Sequence, residues 1–265
     1  MFFRTNAVRR TVLKSKEEIE LMRHAGQIVA KVLHEIRSNT RPGISTGELN
    51  DIAEDALKRY EAVPVFKGYP NPHQGKVEFP ATITACVNEE LVHGIPDYDR
   101  RLNEGDIFSV DCGAYYKGWV GDAAITIPVG TISEEAQHLL DVTERALYEG
   151  ISQARLGNRT EDISAAIQQY VESHGFSVVR EYTGHGVGRN MHEDPQVPNF
   201  GKSGKGMRLK KGMTIALEPM VNVGSWETKL LDDSWTVVTA DGKLSAHCEH
   251  SFAITDGEAD ILTLL

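Results

Sequence analysis

The spacing of apolar residues predicts two amphipathic helices near the start of the chain. Over residues 19–36 apolar side chains recur every three or four positions, which is the pattern of one buried helical face. Ser15 and Glu18 precede this pattern with the spacing of a capping box, so we expect the first helix to begin there. Pro42-Gly43 interrupts the pattern, and a second helix with one apolar face is predicted from Thr46.

Strand-like patterns follow the two helices. Residues 63–80 are rich in proline, glycine and aromatic side chains, and we expect a long structured loop there. Apolar runs typical of strands come next, at Ala81–Val87, Ile107–Asp111 and Ala123–Pro128.

Two segments of the chain are repeated with similar offsets. Residues 155–160 echo residues 41–46, 114 positions earlier, with a glycine and then a threonine that opens a helix. Residues 209–218 echo residues 102–111, 107 positions earlier, with a glycine, an apolar run and a carboxylate. We interpret this as two related halves in one α+β domain; a chance match of short patterns is the alternative. Related halves would bring Asp111 and Glu218 together at their interface, where ligand sites are common.

Composition and charge are those of an ordinary globular protein. Of the 265 residues, 25% are charged and 40% are hydrophobic. The net charge of −10 argues against broad binding to a nucleic-acid backbone, which needs a basic face. A basic cluster between Lys202 and Lys211 is compatible with a local contact or with a solvated loop.

Cysteine usage and hydropathy bear on the compartment. Cys86, Cys112 and Cys248 form no Cys-x-x-Cys and cannot all pair, which favours a reducing compartment. The first residues lack the apolar stretch of a signal peptide, and no run of about 18 apolar residues occurs. We therefore expect a cytoplasmic protein.

Carboxylates follow several of the predicted strands. Asp111 ends one apolar run and Asp122 begins the next, so a turn near Tyr116-Lys117 would make the two face each other across a hairpin. Glu218 and Glu249 also accompany apolar runs. Two carboxylates held close together repel each other, and a bound cation removes that repulsion. Each residue alone is equally compatible with an ordinary turn or edge position.

Two histidines lie in a glycine-rich segment, residues 182–195. The segment fails as a dinucleotide-binding motif, because Arg189 stands where the third glycine would be. It is not an H-E-x-x-H motif either, which argues against a single-zinc peptidase. Glycines on both sides of His185 allow its imidazole to approach another group closely. Four carboxylates and one imidazole suit a pair of hard or borderline divalent ions, which can share a hydroxide that attacks a peptide carbonyl.

These residues resemble the pita-bread metallopeptidases, and among them the type I methionine aminopeptidases, from about Ser15 to the end of the chain. The motifs that carry the resemblance are Val87–Pro96, the Asp111-x10-Asp122 pair, Gly184–Gly188 with His192–Pro195, Leu217-Glu218-Pro219, and Trp235–Thr239 ahead of Glu249. The resemblance implies a pita-bread fold, with two pseudo-symmetric halves whose helices cover a curved antiparallel sheet around a dinuclear metal centre. It also implies residues 1–14 as an N-terminal extension and residues 15–265 as a single catalytic domain.

The resemblance further implies roles for individual residues. The metal ligands would be Asp111, Asp122, His185, Glu218 and Glu249. Asp122 and Glu249 would bridge two divalent ions, Asp111 would bind one of them, and His185 with Glu218 the other. His93 and His192 would contact the substrate and the tetrahedral intermediate, and Glu218 would move a proton from the bridging water to the leaving amine. The substrate side chain would lie among Tyr69, Phe79, Met191 and Trp235; an aromatic residue is common in the family at the position of Met191.

The activity implied by the resemblance is hydrolytic removal of the initiator methionine from nascent proteins and peptides, with a preference for a small second residue. Cobalt, manganese, iron and zinc all suit the ligand set. The expected partners are the N-termini of nascent polypeptides, with no membrane and no sequence-specific nucleic acid. We expect a monomer, and the sequence leaves a ribosome contact open. A proline-directed relative, such as a prolidase or aminopeptidase P, and a non-catalytic binding module are the alternatives.

Overall fold

Two capped helices open the fold. In a computed structural model that describes residues 11–72 and 75–265, helix α1 spans Lys16–Asn39 and helix α2 spans Thr46–Arg59. Ser15 caps α1 in a capping box with Glu18, as the sequence predicts. Ser45 caps α2 in the same way. Both predicted helices are confirmed. The capping side chains stabilise them by accepting hydrogen bonds from backbone N–H groups that the first turn leaves free.

A second helix pair and fifteen strands complete the described residues. Helix α3 spans Glu134–Ser152 and helix α4 spans Thr160–Ser173. The strands of the first half are β1 (Val63–Pro64), β2 (Ile83–Val87), β3 (Glu90–Val92), β4 (Ile107–Tyr116) and β5 (Trp119–Pro128). The remaining strands are β6 (Ser177–Val178), β7 (Thr183–Gly186), β8 (Glu193–Pro198), β9 (Thr214–Leu217), β10 (Met220–Asn222), β11 (Thr228–Leu230), β12 (Val237–Thr239), β13 (Ser245–His247), β14 (Glu249–Ala253) and β15 (Asp260–Ile261).

One antiparallel sheet crosses both halves. Its nine strands run in the order β1-β4-β5-β14-β9-β7-β8, with β2 beside β4 and β15 beside β14. Two three-stranded sheets, β13-β10-β6 and β11-β12-β3, flank it. The architecture is therefore α+β, as predicted. None of the four helices in the described ranges has the length and apolar character needed to cross a membrane.

The β4–β5 hairpin differs from the prediction. Tyr116 pairs with Trp119, so the loop is Lys117-Gly118, and both loop residues have positive φ angles, 48° and 87°. Such a loop matches the twist of the strands it joins. The prediction that Asp111 ends a strand and Asp122 begins one was wrong. Both lie inside strands of ten residues, because the tight loop lets the strands pair up to the turn.

The repeated segments occupy equivalent positions in the two halves. Gly43 and Gly157, which precede α2 and α4, both have left-handed backbones, with φ angles of 88° and 96°. The Leu102 N–H donates to the Ile44 carbonyl, and the Leu209 N–H donates to the Asn158 carbonyl. These residues are related by the two sequence offsets. The repeat is therefore structural and not a chance match.

Each helix pair covers its own half of the large sheet. Apolar side chains of α1 and α2 form one core cluster with β2, β4 and β5, and those of α3 and α4 form another with β9 and β14. The chain also approaches itself closely between α1 and β5. A Cβ atom added at Gly121 would lie 2.4 Å from the backbone carbon of Ala25 in α1. Gly121 therefore sets how close α1 lies to the strand that carries Asp122.

Because that clash is with backbone, we expect Gly121→Ala to destabilise the fold. Overpacking of this kind costs about 3 kcal/mol, which corresponds to a fall of about 6–12 °C in the midpoint of thermal unfolding. The matched control is Gly257→Ala, because an added Cβ there meets only the Thr255 hydroxyl, at 3.9 Å. Differential scanning calorimetry of both variants measures the effect. Equal midpoints for the two variants would show that α1 does not pack as described.

Candidate metal centre

The carboxylates predicted as ligands lie on one face of the large sheet. Asp111 on β4 is opposite Ala124 on β5, and Glu249 on β14 is opposite the same Ala124. Glu218 follows the last residue of β9, and the register of β9 with β14 continues to bring it opposite Glu249. Residues directly opposite each other share a face. Asp111, Glu249 and Glu218 therefore lie in one row that crosses β4, β5, β14 and β9, with Ala124 of β5 between the first two.

A second row lies two residues along the same face. Asp122 is opposite Gly113, not opposite Asp111, so the two aspartates are diagonal neighbours; the predicted direct pairing was wrong. His185 on β7 lies at the far end of this row, opposite Ala216 on β9. The five residues proposed as ligands thus occupy two adjacent rows. The intervening positions hold small residues, Ala124 in the first row and Ser251 and Ala216 in the second, which leave space above the sheet.

The opposite face of these strands packs against the helices. Val110 and Cys112 flank Asp111 and belong to the core cluster under α1 and α2. Ile215 and Leu217, which precede Glu218, belong to the cluster under α3 and α4. Because strand side chains alternate between faces, burial of these apolar residues orients the carboxylates toward the other side.

The side chains on this face converge. Asp122, His185 and Glu249 each offer a ligand atom, and these atoms lie within 4.8 Å of one another. The Nε2 atom of His185 is 3.6 Å from Asp122 Oδ2 and 3.6 Å from Glu218 Oε1. The Nδ1–H group of His185 donates a hydrogen bond to the Gly186 carbonyl oxygen, with Nδ1 and the oxygen 2.9 Å apart. In the neutral ring Nε2 then has a lone pair directed at two carboxylates, an arrangement that a cation between them stabilises.

Burial strongly disfavours the charged forms of these groups. It raises the pKa of Asp122 to about 7, and it raises the pKa values of Glu218 and Glu249 well above their usual range, with added repulsion from Asp122. The pKa of Asp111 is raised for the same two reasons. Burial also lowers the pKa of His185 to about 4, so the imidazole is neutral.

Four carboxylate oxygens in the site have no hydrogen-bond partner among the described residues: Asp111 Oδ1, both oxygens of Asp122 and Glu249 Oε1. Buried carboxylates are stable when paired or bound to a metal. Hard oxygen donors and one neutral imidazole suit divalent ions. The donor set therefore fits the metal ions that the sequence predicts.

The two histidines predicted to contact substrate border the same space. The ring of His192 lies 4.4 Å from the ring of His185, and its Nδ1 atom is 2.6 Å from the Tyr69 hydroxyl. His93 has a left-handed backbone, φ 60°, and its ring meets that of Trp235 edge-on at 6.3 Å. Gly94 follows, and a Cβ there would lie 2.2 Å from the Ala85 carbonyl oxygen. Glycine is thus required at position 94, because the backbone there packs directly against Ala85.

The residues predicted to surround the substrate side chain share one apolar cluster. Phe79, Met191 and Trp235 are buried in it, and Tyr69 packs against it. The rings of Phe79 and Trp235 are 5.2 Å apart and nearly perpendicular. The Phe79 N–H donates to the Tyr69 carbonyl at 2.9 Å, which closes the loop between them. Of the loop at 70–78, residues 73 and 74 lie outside the described residues.

Three residues near the centre were missed by sequence reasoning. His247 is buried, with Nε2 3.9 Å from Glu218 Oε2 and 3.9 Å from Glu249 Oε2. Its position two residues before Glu249 was a usable signal, because alternate residues of an extended segment point in the same direction. The Asn199 side chain donates to the Glu218 carbonyl at 2.9 Å. Lys14 forms a buried ion pair with Glu193, Nζ to Oε2 2.6 Å. Nothing in the sequence pattern indicates these last two contacts.

Comparison with known proteins identifies the family. The model of metallopeptidase family M24 matches residues 20–256. The chain belongs to this family. The description of the family as metallopeptidases agrees with the donor set described above, and the matched range contains all five residues proposed as ligands. A divalent metal is therefore part of the family's chemistry.

Relatives of the same length carry a more specific name. The chain is 53% identical over 252 residues to methionine aminopeptidase 1 of Bacillus subtilis, covering 95% of this chain and 98% of that protein. It is 50% identical over 253 residues to the methionine aminopeptidase of Clostridium acetobutylicum, covering 96% and 98%.

Solved structures agree in fold. The crystal structure of methionine aminopeptidase from Thermotoga maritima matches with a TM-score of 0.93 and 43% identity, covering 97% of this chain and 100% of that one. A prolidase from Pyrococcus furiosus matches with a TM-score of 0.77 and 22% identity, but only 66% of that chain is covered. The pita-bread fold is confirmed, and the likeness to the prolidase concerns the fold alone.

The raised pKa of Asp122 predicts a pH-dependent stability in the metal-free protein. The folded state holds a proton that the unfolded state loses near pH 4, so stability decreases as the pH rises from about 4 to about 7. Asp122→Asn removes this loss. We expect the metal-free variant to exceed the wild type in stability by an amount that grows over this range and reaches a few kcal/mol.

Calorimetry of EDTA-treated protein from pH 5 to pH 8 measures the difference, with Asp232→Asn at an exposed position as the control. With saturating Mn²⁺ the order should reverse, because only the wild type keeps the carboxylate proposed as a ligand. If the difference in stability between the metal-free wild type and Asp122→Asn did not change with pH, the pKa of Asp122 would not be raised in the folded protein.

Proposed function

We propose that the chain is a methionine aminopeptidase, a metal-dependent hydrolase that removes the N-terminal methionine from proteins and peptides. The observation that carries the proposal is the buried group of Asp122, His185 and Glu249 beside an apolar cluster that contains Phe79, Met191 and Trp235. The relatives that match over nearly the whole chain are named for this activity. The proposed enzyme prefers substrates in which the residue after the methionine is small.

The metal ligands in this proposal are Asp111, Asp122, His185, Glu218 and Glu249. Asp122 and Glu249, the most deeply buried carboxylates, would each bridge two ions, with Asp111 on one ion and His185 with Glu218 on the other. When bound, divalent ions supply the Lewis acidity that lowers the pKa of water and polarises a peptide carbonyl. Cobalt, manganese, iron and zinc all suit these donors.

The chain's own residues handle the proton. Glu218 accepts a proton from the attacking water, whose oxygen bonds to the carbonyl carbon. The carbon–nitrogen bond then breaks, and Glu218 returns the proton to the departing amine. The side chain of Glu218 is only partly buried, which allows it to reach the substrate side of the site. His93 and His192 border the same space and donate hydrogen bonds to the carbonyl oxygen as it gains charge.

The apolar cluster selects the first side chain. An unbranched thioether fills irregular apolar space and makes favourable contacts with aromatic rings, here those of Tyr69, Phe79 and Trp235. A charged side chain would be partly desolvated without a partner, so glutamate or lysine is rejected.

The rest of the proposal concerns context. Residues 15–265 act as a single catalytic domain; of the proposed extension, residues 1–10 lie outside the described residues. The protein acts in the cytoplasm as a monomer on the N-termini of nascent polypeptides, and the proposal leaves a contact with the ribosome open. The binding of sequence-specific nucleic acid is not part of it, given the net charge of −10.

The decisive test compares two tripeptides. After reconstitution with Co²⁺, Mn²⁺, Fe²⁺ or Zn²⁺, we expect the protein to cleave Met-Ala-Ser and to leave Ala-Pro-Ala intact. Release of the free amino acid, followed by chromatography, measures both reactions. Preferential cleavage of Ala-Pro-Ala would identify a proline-directed enzyme instead, and no cleavage with any of the ions would favour a binding module.

His192→Ala tests whether metal binding and catalysis can be separated in the same assay. Its ring contacts His185 without being proposed as a ligand, so the variant should still bind two ions per chain. Loss of a hydrogen bond made in the transition state should lower kcat by about 10²–10³. Metal content by atomic absorption separates the two effects. A variant that lost its ions would make His192 a ligand.

Specificity should respond to Met191. Its flexible side chain lies in the apolar cluster, where an aromatic ring would leave less freedom for a branched substrate. We expect slow cleavage of Leu-Ala-Ser by the wild type and suppression of it by Met191→Phe, with Met-Ala-Ser spared. A difference of one branch is worth about 1–3 kcal/mol in such a pocket. The ratio of kcat/KM for the two peptides is the measurement, and an unchanged ratio would remove Met191 from the pocket.

A further inference from the structure

His247 occupies a rigid position beside the carboxylates, yet it has no role in the function proposed above. It is the last residue of β13 and is 3% exposed. The buried Thr126 hydroxyl donates to the His247 carbonyl at 2.7 Å and accepts from the His247 N–H at 3.0 Å. A second buried hydroxyl, that of Ser109, bonds to Thr126 at 2.8 Å. The backbone of His247 is therefore held on both sides.

The imidazole of His247 is directed at two carboxylates. Its Nε2 atom is 3.9 Å from Glu218 Oε2 and 3.9 Å from Glu249 Oε2, and it has no hydrogen-bond partner among the described residues. A buried polar atom without a partner costs free energy. A shift of about 1 Å by either side chain would bring Nε2 to the usual hydrogen-bond distance.

The tautomer of His247 follows from its surroundings. With metal bound, both carboxylates would be ionised, and if Nδ1 carried the only proton, the lone pair of Nε2 would face two anionic groups and be repelled by them. A proton on Nε2 turns the same contact into a charge-assisted hydrogen bond. The neutral Nε2–H form is thus the favoured one, and no change of charge is needed.

Glu218 lies between two imidazoles. His185 Nε2 is 3.6 Å from Oε1, and His247 Nε2 is 3.9 Å from Oε2. The Asn199 side chain holds the backbone carbonyl of the same residue. In the proposed ligand set, His185 and Oε1 of Glu218 bind the same ion. The other carboxylate oxygen, Oε2, is then left to accept a hydrogen bond from His247.

We propose that His247 is a positioning residue, whose Nε2–H donates a hydrogen bond to Oε2 of Glu218 and orients that carboxylate toward the metal ions. Groups that hydrogen-bond to ligating carboxylates fix their orientation and contribute to metal affinity. This inference rests on the proposed role of Glu218 as a ligand. It does not require that the substrate be a methionyl peptide.

The test uses metal binding rather than peptide cleavage. Co²⁺ and Mn²⁺ are titrated into metal-free wild type, His247→Leu and His247→Gln by calorimetry, and the visible spectrum of the Co²⁺ forms is recorded. We expect His247→Leu to bind metal about 10–100-fold more weakly with an altered spectrum. His247→Gln keeps a donor and should recover most of the affinity. Its recovery would exclude a purely structural role.

Cys248→Ala is the matched control. Cys248 adjoins both His247 and Glu249 but lies in a groove on the other face of the sheet, beside Tyr148 and His250. We expect wild-type affinity and spectrum from this variant.

Two results would overturn the proposal. Wild-type affinity and spectrum for His247→Leu would show that His247 does not orient Glu218. Equal loss of one ion from both the Leu and Gln variants would make His247 a ligand itself. If His247→Leu fails to fold, ¹⁵N NMR of histidine-labelled wild type with Zn²⁺ decides, since a proton on Nδ1 alone contradicts the proposal. Protein that binds metal as expected but cleaves no methionyl peptide would refute the proposed function and leave this inference standing.

Discussion

The rest of the site depends on one electrostatic constraint: four carboxylates are held together on a buried face of the sheet. Burial and mutual repulsion raise the pKa values of Asp111, Asp122, Glu218 and Glu249, and no lysine or arginine of the described residues contributes a compensating shift. A divalent metal, which the family name implies, would supply this compensation. The arrangement that costs stability in the metal-free chain is therefore one that a bound cation would stabilise.

Neutral imidazoles surround this cluster of negative charge. Burial lowers the pKa of His185 to about 4 and that of His93 to about 4, so neither ring neutralises the carboxylates. Such rings can act as ligand or hydrogen-bond donor without competing with the metal charge. A cationic side chain in the same positions would occupy the place of an ion. Selection of histidine here is consistent with metal-dependent hydrolysis of a peptide bond.

The two related halves explain how one chain assembles the cluster. Each half contributes a helix pair, a left-handed glycine and a strand that leads to a carboxylate, and the large sheet joins the strands at its middle. Asp111 and Glu218 come from equivalent segments and meet in one row with Glu249 between them. The small residues Ala124 in that row and Ala216 in the neighbouring row leave room above the sheet. The helices pack on the opposite face of the sheet and bury the apolar residues that flank the carboxylates.

The sequence by itself determined the local elements and the chemistry. Capping residues such as Ser15, turn glycines such as Gly43 and apolar periodicity act over a few neighbouring residues, so the starts of α1, α2 and α4 and the repeat were predictable, whereas α3 was not predicted. The residue types of the proposed ligand set and the family could also be predicted, because short motifs of the sequence carry the resemblance. Strand ends at Asp111 and Asp122 were misjudged, since the two-residue loop at Lys117 extends pairing beyond the apolar run.

Only the tertiary structure decided which side chains meet. Strand order and register are set by packing over the whole sheet, and a shift of one residue reverses every face. The diagonal offset of Asp111 and Asp122 follows from that register. The approach of His247 to Glu218, and the ion pair of Lys14 with Glu193, join segments far apart in the chain. No local pattern encodes such contacts, because their geometry depends on how separate elements pack together.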